Sequence, residues 1–105
     1  MTEIPDYPNL YCSLNTSLSR KQIAGLYAAI GWEVRKCTWT DFEVFGPWCE
    51  LVIEGESPIL MHGSVADILV HAAEIVAPLR AGCISFTVEC YGPQPARDLL
   101  LELRS

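Results

Sequence analysis

The segment from residue 32 to residue 62 constrains the fold most, because its apolar and polar residues alternate with a period of two. The runs WEVRKCTW, FEVF, CELVIE and PILMH are separated by TD, GP and GES, which are typical turn residues. Such alternation predicts antiparallel strands with one buried face and one face in water. We expect a meander of three strands, or of four if the Gly46-Pro47 pair separates two short strands instead of bending a long one.

A strand and a helix are predicted before the meander, and a strand after it. LYCSLN at 10–15 and CISFTVECY at 83–91 alternate as half-buried strands do. Ser19 and Gln22 have the spacing of a capping box, and apolar residues follow at helical spacing. A first helix is therefore expected near 19–30.

A second helix is expected to begin after Ser64, and Asp67 three residues later gives the spacing of another capping box. A broad apolar stripe follows, and Pro78 and Gly82 are expected to end the helix. The tail at 95–104 fits either a strand that pairs with 83–91 or a short helix, and the shorter connection favours the strand.

The predicted order is β-α-β-β-(β)-α-β-(β), and an antiparallel sheet with one wet face offers a single dry face for both helices. This order predicts an α+β two-layer sandwich, a mostly antiparallel sheet of about five to six strands with two helices packed on one face. A chain of 105 residues has the length of one domain, so residues 1–105 are expected to form a single globular domain.

The net charge predicts the kind of partner, and the N-terminal sequence predicts the location of the protein. Thirteen acidic residues against seven basic ones give a formal net charge of −6, which disfavours binding to nucleic acid and attracts a basic protein partner. MTEIPDYPNLY lacks the basic, apolar and cleavage regions of a signal peptide. Because no apolar run approaches the ~20 residues that span a bilayer, we expect a cytoplasmic protein without membrane contact.

The five cysteines contain no C-x-x-C pair, and in a reducing compartment such residues usually act as small buried apolar groups. A structural role is therefore favoured over a reactive thiol. The cysteines are Cys12, Cys37, Cys49, Cys83 and Cys90.

Both histidines lie in the stretch MHGSVADILVHAAE at 61–74. His62, Asp67 and His71 are weak candidates for a metal or ligand site, or for a base at His71 that Asp67 orients. The simpler interpretation is a capped helix whose wet face carries Asp67, His71 and Glu74. That interpretation is favoured because no zinc-binding or catalytic spacing is present, so we expect no metal, no cofactor and no catalytic residue.

Aromatic and acidic residues are interleaved between residues 32 and 50. Aromatic side chains anchor protein interfaces and carboxylates attract a basic partner, but aromatic residues at helix–sheet junctions are ordinary, which favours a core position for them over an interface. The interface candidates are Trp39, Phe45, Trp48, Asp41, Glu43 and Glu50.

The sequence therefore favours a protein-interaction module, such as an inhibitor, an adaptor or an immunity-like protein, that uses an acidic, aromatic-bearing sheet face. The alternative is a small-molecule-binding or enzymatic α+β domain with a pocket near His62 and His71. A homo-oligomer that pairs edge strands or sheet faces is a third hypothesis. The absence of any catalytic motif favours binding over catalysis.

Overall fold

The structure is a computed structural model that describes residues 3–37, 40–93 and 96–105. The described residues form two helices and seven strands. In chain order these are β1 (Leu10–Asn15), α1 (Arg20–Ala28), β2 (Glu33–Lys36), β3 (Phe42–Gly46), β4 (Cys49–Gly55), β5 (Ile59–Val65), α2 (Ile68–Ala81), β6 (Ser85–Tyr91) and β7 (Leu99–Arg104).

All seven strands lie in one sheet in the order β2-β3-β4-β5-β1-β6-β7, and every neighbouring pair is antiparallel. The mixed α+β class is confirmed, whereas the prediction of five to six strands is too low. The meander has four strands, because a turn at Pro47 and Trp48 separates β3 from β4. The strand interpretation of the tail is also correct, since β7 pairs with β6.

Helix α1 forms where the capping residues predict it. The Ser19 hydroxyl accepts a hydrogen bond from the Gln22 backbone N–H at 3.1 Å, and the Gln22 side chain accepts one from the Ser19 N–H at 2.8 Å. This reciprocal pair satisfies two backbone donors that the first helical turn leaves without partners. Beyond the helix, Gly31 takes a φ of 92°, a conformation in which glycine avoids the strain of a Cβ.

Helix α2 begins later than the sequence predicts, because the backbone from Gly63 to Val65 continues strand β5. A side chain at Gly63 would collide with the β4 backbone at Glu50, so glycine permits this close pairing. Ser64 lies in the strand and its hydroxyl donates to the Tyr7 carbonyl at 2.8 Å. The predicted capping box from Ser64 is therefore wrong, and Asp67 is itself the residue before the helix.

The end of α2 agrees with the prediction at Gly82, the residue after the helix, but not at Pro78. Pro78 lies inside the helix, which continues to Ala81. The Cys83 N–H donates to the Arg80 carbonyl and the Ile84 N–H donates to the Leu79 carbonyl, while Cys83 has a φ of 56°. These are the two bonds of a Schellman motif, in which the left-handed position usually holds glycine. Here Cys83, and not Gly82, occupies it.

One face of the sheet packs against both helices. Successive strand residues point to opposite faces, and the buried ones share a single apolar cluster with α1 and α2. The Tyr27 hydroxyl in α1 donates to the Ile75 carbonyl in α2 at 2.7 Å, which ties the two helices together within this cluster. The other side of the sheet, which we call the helix-free face, carries the alternate strand residues.

Candidate functional site

A row of residues in register crosses all seven strands on the helix-free face. Its members stand directly opposite one another from strand to strand, and most of their strand neighbours belong to the apolar cluster of the opposite face. From β2 to β7 the row is Arg35, Glu43, Val52, His62, Tyr11, Glu89 and Glu102.

The strands give this face a strongly acidic character. Six glutamates project from it, namely Glu33, Glu43, Glu50, Glu54, Glu89 and Glu102. The strand positions of the same face carry two arginines, of which Arg104 is bonded to Glu102 at 2.7 Å. Glu89 stands directly opposite Glu102, and like charges in that position repel each other. The helix-free face therefore favours the approach of a cation.

Tyr11 is the centre of an aromatic cluster on this face. Its ring stacks with the His62 ring at 6.3 Å between centroids and meets the Tyr91 ring edge-on at 5.7 Å. The Arg97 guanidinium lies 5.6 Å from the Tyr11 ring centre and 5.5 Å from that of Tyr91. The cluster combines π faces with hydrogen-bonding groups, which suits recognition of a charged, partly flat side chain.

Two depressions adjoin Tyr11. One has a volume of about 220 Å³ and is lined on its polar side by Ser13, His62, Thr87 and Glu89. The second has a volume of about 520 Å³ and is lined by Tyr11, Glu89, Tyr91 and Arg97. Because Tyr11 and Glu89 line both, the two depressions are adjacent parts of one site.

Two glutamate carboxylates interact with polar side chains of this site, Glu54 with His62 and Glu89 with Tyr91. His62 Nε2 lies 3.1 Å from Glu54 Oε1, so the carboxylate fixes one edge of the imidazole. Partial desolvation and, after it, the neighbouring Glu89 carboxylate raise the pKa of Tyr91 above its ordinary value. The raised pKa extends the pH range in which Tyr91 is a neutral hydrogen-bonding phenol beside Glu89.

The second histidine lies on the other side of the sheet. His71 in α2 stacks on Trp48 with 3.9 Å between ring centroids and 5° between planes. Its Nδ1 lies 2.6 Å from the Ala66 carbonyl, and since a carbonyl only accepts, Nδ1 carries the proton. The Trp48 ring continues through Trp32 to the buried Tyr27. His71 is therefore the outer ring of an aromatic series that extends to the core.

The structure does not bring the three ligand candidates together. His62 lies on the helix-free face, Asp67 is exposed at the start of α2, and His71 packs against Trp48. Over residues 3–37, 40–93 and 96–105, no three histidine, cysteine or acidic side chains are grouped as a metal site would require.

The interface candidates separate into two groups. Glu43, Phe45 and Glu50 lie on the helix-free face, and the Arg35 guanidinium lies 5.0 Å from the Phe45 ring centre. Trp48 instead packs against the apolar core on the opposite side.

The other two interface candidates belong to neither group. Asp41 lies in the loop before β3, where its carboxylate accepts from the Thr40 hydroxyl at 3.3 Å. Trp39 lies outside the described residues.

The structure adds Tyr11, Glu89, Tyr91 and Arg97 to the candidate residues. The period of two already places Tyr11, Glu89 and Tyr91 on the wet side of their strands. The sequence does not show that β1 pairs with both β5 and β6. This pairing brings residues 11, 62 and 89 into one row.

Three of the five cysteines are core residues, as a structural role predicts. Burial raises the pKa of the Cys12 thiol to about 12, with a further contribution from Cys90. Burial also raises the pKa of Cys49 and of Cys90 to about 11. Since the thiolate is the reactive form, these three thiols are poor nucleophiles at neutral pH. Cys37 and Cys83 are exposed.

Comparison with protein-family models, with curated proteins and with solved structures found no match. Neither helix in the described part of the chain has the length and apolarity that crossing a membrane requires. Function is therefore inferred from the site alone.

Proposed function

We propose that this protein is an interaction module that binds a basic protein or peptide on its helix-free face. The observation that carries the proposal is the row in register from Arg35 to Glu102, which joins acidic and aromatic side chains across the full width of the sheet. Both helices occupy the opposite side, so the two-layer arrangement leaves this face open to a partner.

Charge complementarity supports a basic occupant. Glu102 is paired with Arg104, but Glu89 stands directly opposite it, so a lysine or arginine between the two carboxylates would lower the remaining repulsion. Tyr11, Phe45 and Tyr91 supply aromatic anchors among the carboxylates. The overall charge of −6 acts in the same direction, since it accelerates encounter with a positively charged partner at low salt.

A reducing compartment such as the cytosol is the proposed place of action. Cys12, Cys49 and Cys90 are free and buried in the core, where their thiols pack as apolar groups. A reducing environment preserves these thiols.

A small polar ligand is the second candidate, and the depression between Tyr11 and His62 favours it. Its volume of about 220 Å³ suits a group of a few heavy atoms, with Ser13, Thr87 and Glu89 available for hydrogen bonds. His71 takes no part in this depression, because it lies on the other side of the sheet.

The test measures the affinity of an arginine- and lysine-rich peptide by calorimetry for two triple variants of equal charge. E43Q/E50Q/E89Q removes carboxylates from the helix-free face, and E3Q/E56Q/E74Q removes them elsewhere. We expect the face variant to lose about tenfold or more in affinity, and the control to lose less than about threefold, because close carboxylates contribute more than distant screened ones. Equal losses in the two variants would overturn the proposal.

A further inference from the structure

The aromatic pair on the helix-free face already holds a cation from the same chain. The Arg97 guanidinium lies within 5.6 Å of both the Tyr11 and the Tyr91 ring centres. Glu89 stands opposite Tyr11 in the sheet and lines the same depression as Arg97. We infer that Tyr11, Tyr91 and Glu89 form an arginine subsite, which Arg97 occupies until an arginine of the basic partner displaces it.

The geometry of the subsite suits a guanidinium in particular. A distance below about 6 Å from two ring centres is the range of a cation–π contact, and a flat guanidinium stacks on aromatic faces more readily than a compact ammonium does. Arg97 Nη2 also donates to the Tyr11 hydroxyl at 2.9 Å. A guanidinium has five N–H donors, so the same group can hydrogen-bond to the phenol while it lies over the rings.

Among the described residues, the Arg97 guanidinium makes one short hydrogen bond, to the Tyr11 hydroxyl, so a competing arginine can displace it. Its second bond, from Nη2 to the Pro8 carbonyl, is long at 3.5 Å. Its backbone has a φ of 50°, a left-handed conformation that costs energy in any residue with a Cβ. The adjoining depression of about 520 Å³ provides room for a second guanidinium to enter before Arg97 leaves.

This inference rests on the proposed function, because it identifies the basic residue that the helix-free face recognises. A partner arginine would take over the contacts to Tyr11 and Tyr91, while Glu89 would neutralise its charge. The Arg97 side chain would then turn towards solvent.

The experiment compares R97A with R104A, which removes the same charge from the same face but leaves the subsite untouched. Both variants and the wild-type protein are titrated with a deca-arginine peptide and with a deca-lysine peptide of equal length. If Arg97 blocks the subsite, R97A binds deca-arginine about fivefold or more tightly than R104A does. The two variants then bind deca-lysine with affinities within about twofold of each other.

Equal increases in affinity for R97A and R104A with both peptides would show only the effect of removing a positive charge. That result would overturn the inference of an arginine subsite. That result leaves the proposed function standing, since it depends on the glutamate variants and not on Arg97. A double variant, Y91L/R97A, supplies a further test: loss of one ring should abolish the arginine preference that R97A gains. Retention of the full preference in this folded double variant would also overturn the inference.

Discussion

The carboxamide of Asn9 pairs with the backbone of Val65 through two hydrogen bonds. Asn9 Nδ2 donates to the Val65 carbonyl at 2.9 Å, and the Val65 N–H donates to Asn9 Oδ1 at 2.8 Å. Asn9 is only 4% exposed, so the side chain acts as a buried extension of the sheet at the end of β5. This pairing gives partners to the backbone of Val65, the last residue of β5, in a stretch whose sequence otherwise resembles a helix start.

Replacing Asn9 with alanine is expected to lower the free energy of unfolding by about 2–4 kcal/mol, because two buried backbone groups of Val65 lose their partners. Chemical denaturation measures this difference. The matched control is N15A at the exposed end of β1, for which we expect a change within about 0.5 kcal/mol. Similar small effects at both positions would contradict the role assigned to Asn9.

The stack of His71 on Trp48 predicts a combined effect on stability and fluorescence. H71A should destabilise the fold by about 1–2 kcal/mol through loss of the ring contact and of the bond to Ala66. The indole should also become more accessible to water, so tryptophan emission should move to longer wavelength. E74A, at an exposed position of the same helix, should change neither quantity, and an unshifted spectrum for H71A would argue against the stack.

The left-handed backbone of Cys83 predicts a stabilising substitution. C83G should raise the free energy of unfolding by about 1 kcal/mol, because glycine adopts a φ of 56° without the steric cost of a Cβ. The same change at Ser85, which lies in extended β6, should instead lower stability by about 0.5–1 kcal/mol. Thermal and urea denaturation of both variants show whether each substitution raises or lowers the free energy of unfolding. Destabilisation by C83G would contradict the steric cost assigned to the Cys83 backbone.

The buried thiols predict a loss of stability in alkaline solution. Burial raises the pKa of Cys12 from 9.0 to about 12, so between these values the unfolded chain releases a proton that the folded chain keeps. Fewer protons bound to the unfolded state means that stability falls as pH rises, by about 1.4 kcal/mol per pH unit for one such group. Below pH 9 this contribution is fully present.

Between pH 9.5 and 11, the free energy of unfolding of C12A should fall less steeply with pH than that of the wild-type protein. The difference should be about 1.4 kcal/mol per pH unit, which corresponds to one proton. Denaturation curves at several pH values give this slope for the wild-type protein and the variant. C83A, which removes an exposed thiol, is the control and should keep the wild-type slope. A wild-type slope in C12A would contradict the assignment to Cys12.

Local patterns in the sequence predicted the elements well, and contacts between distant segments decided where the predictions were wrong. The capping box at Ser19 and the alternation in β4 and β6 are local, and both are found in the structure. Strand β5 continues to Val65 before α2 begins, and the backbone of Val65 pairs with Asn9, which lies 56 residues away in the sequence. No short-range pattern around Ser64 contains that information.

The candidate site shows the same division. Alternation predicts that Tyr11, His62 and Glu89 point away from the core, but their juxtaposition depends on β1 lying between β5 and β6. The position of Arg97 depends on a backbone turn with a positive φ that arginine rarely adopts, so the sequence offered no local signal for it.

Binding of a basic partner to the helix-free face is tested most directly by amide chemical shifts. The ¹⁵N-labelled protein is titrated with an arginine- and lysine-rich peptide at low and at high salt. Binding to the helix-free face should shift resonances in β5, β1 and β6 around His62, Tyr11 and Glu89, and these shifts should weaken at high salt. Shifts confined to α1 and α2, or an absence of shifts at low salt, would contradict it.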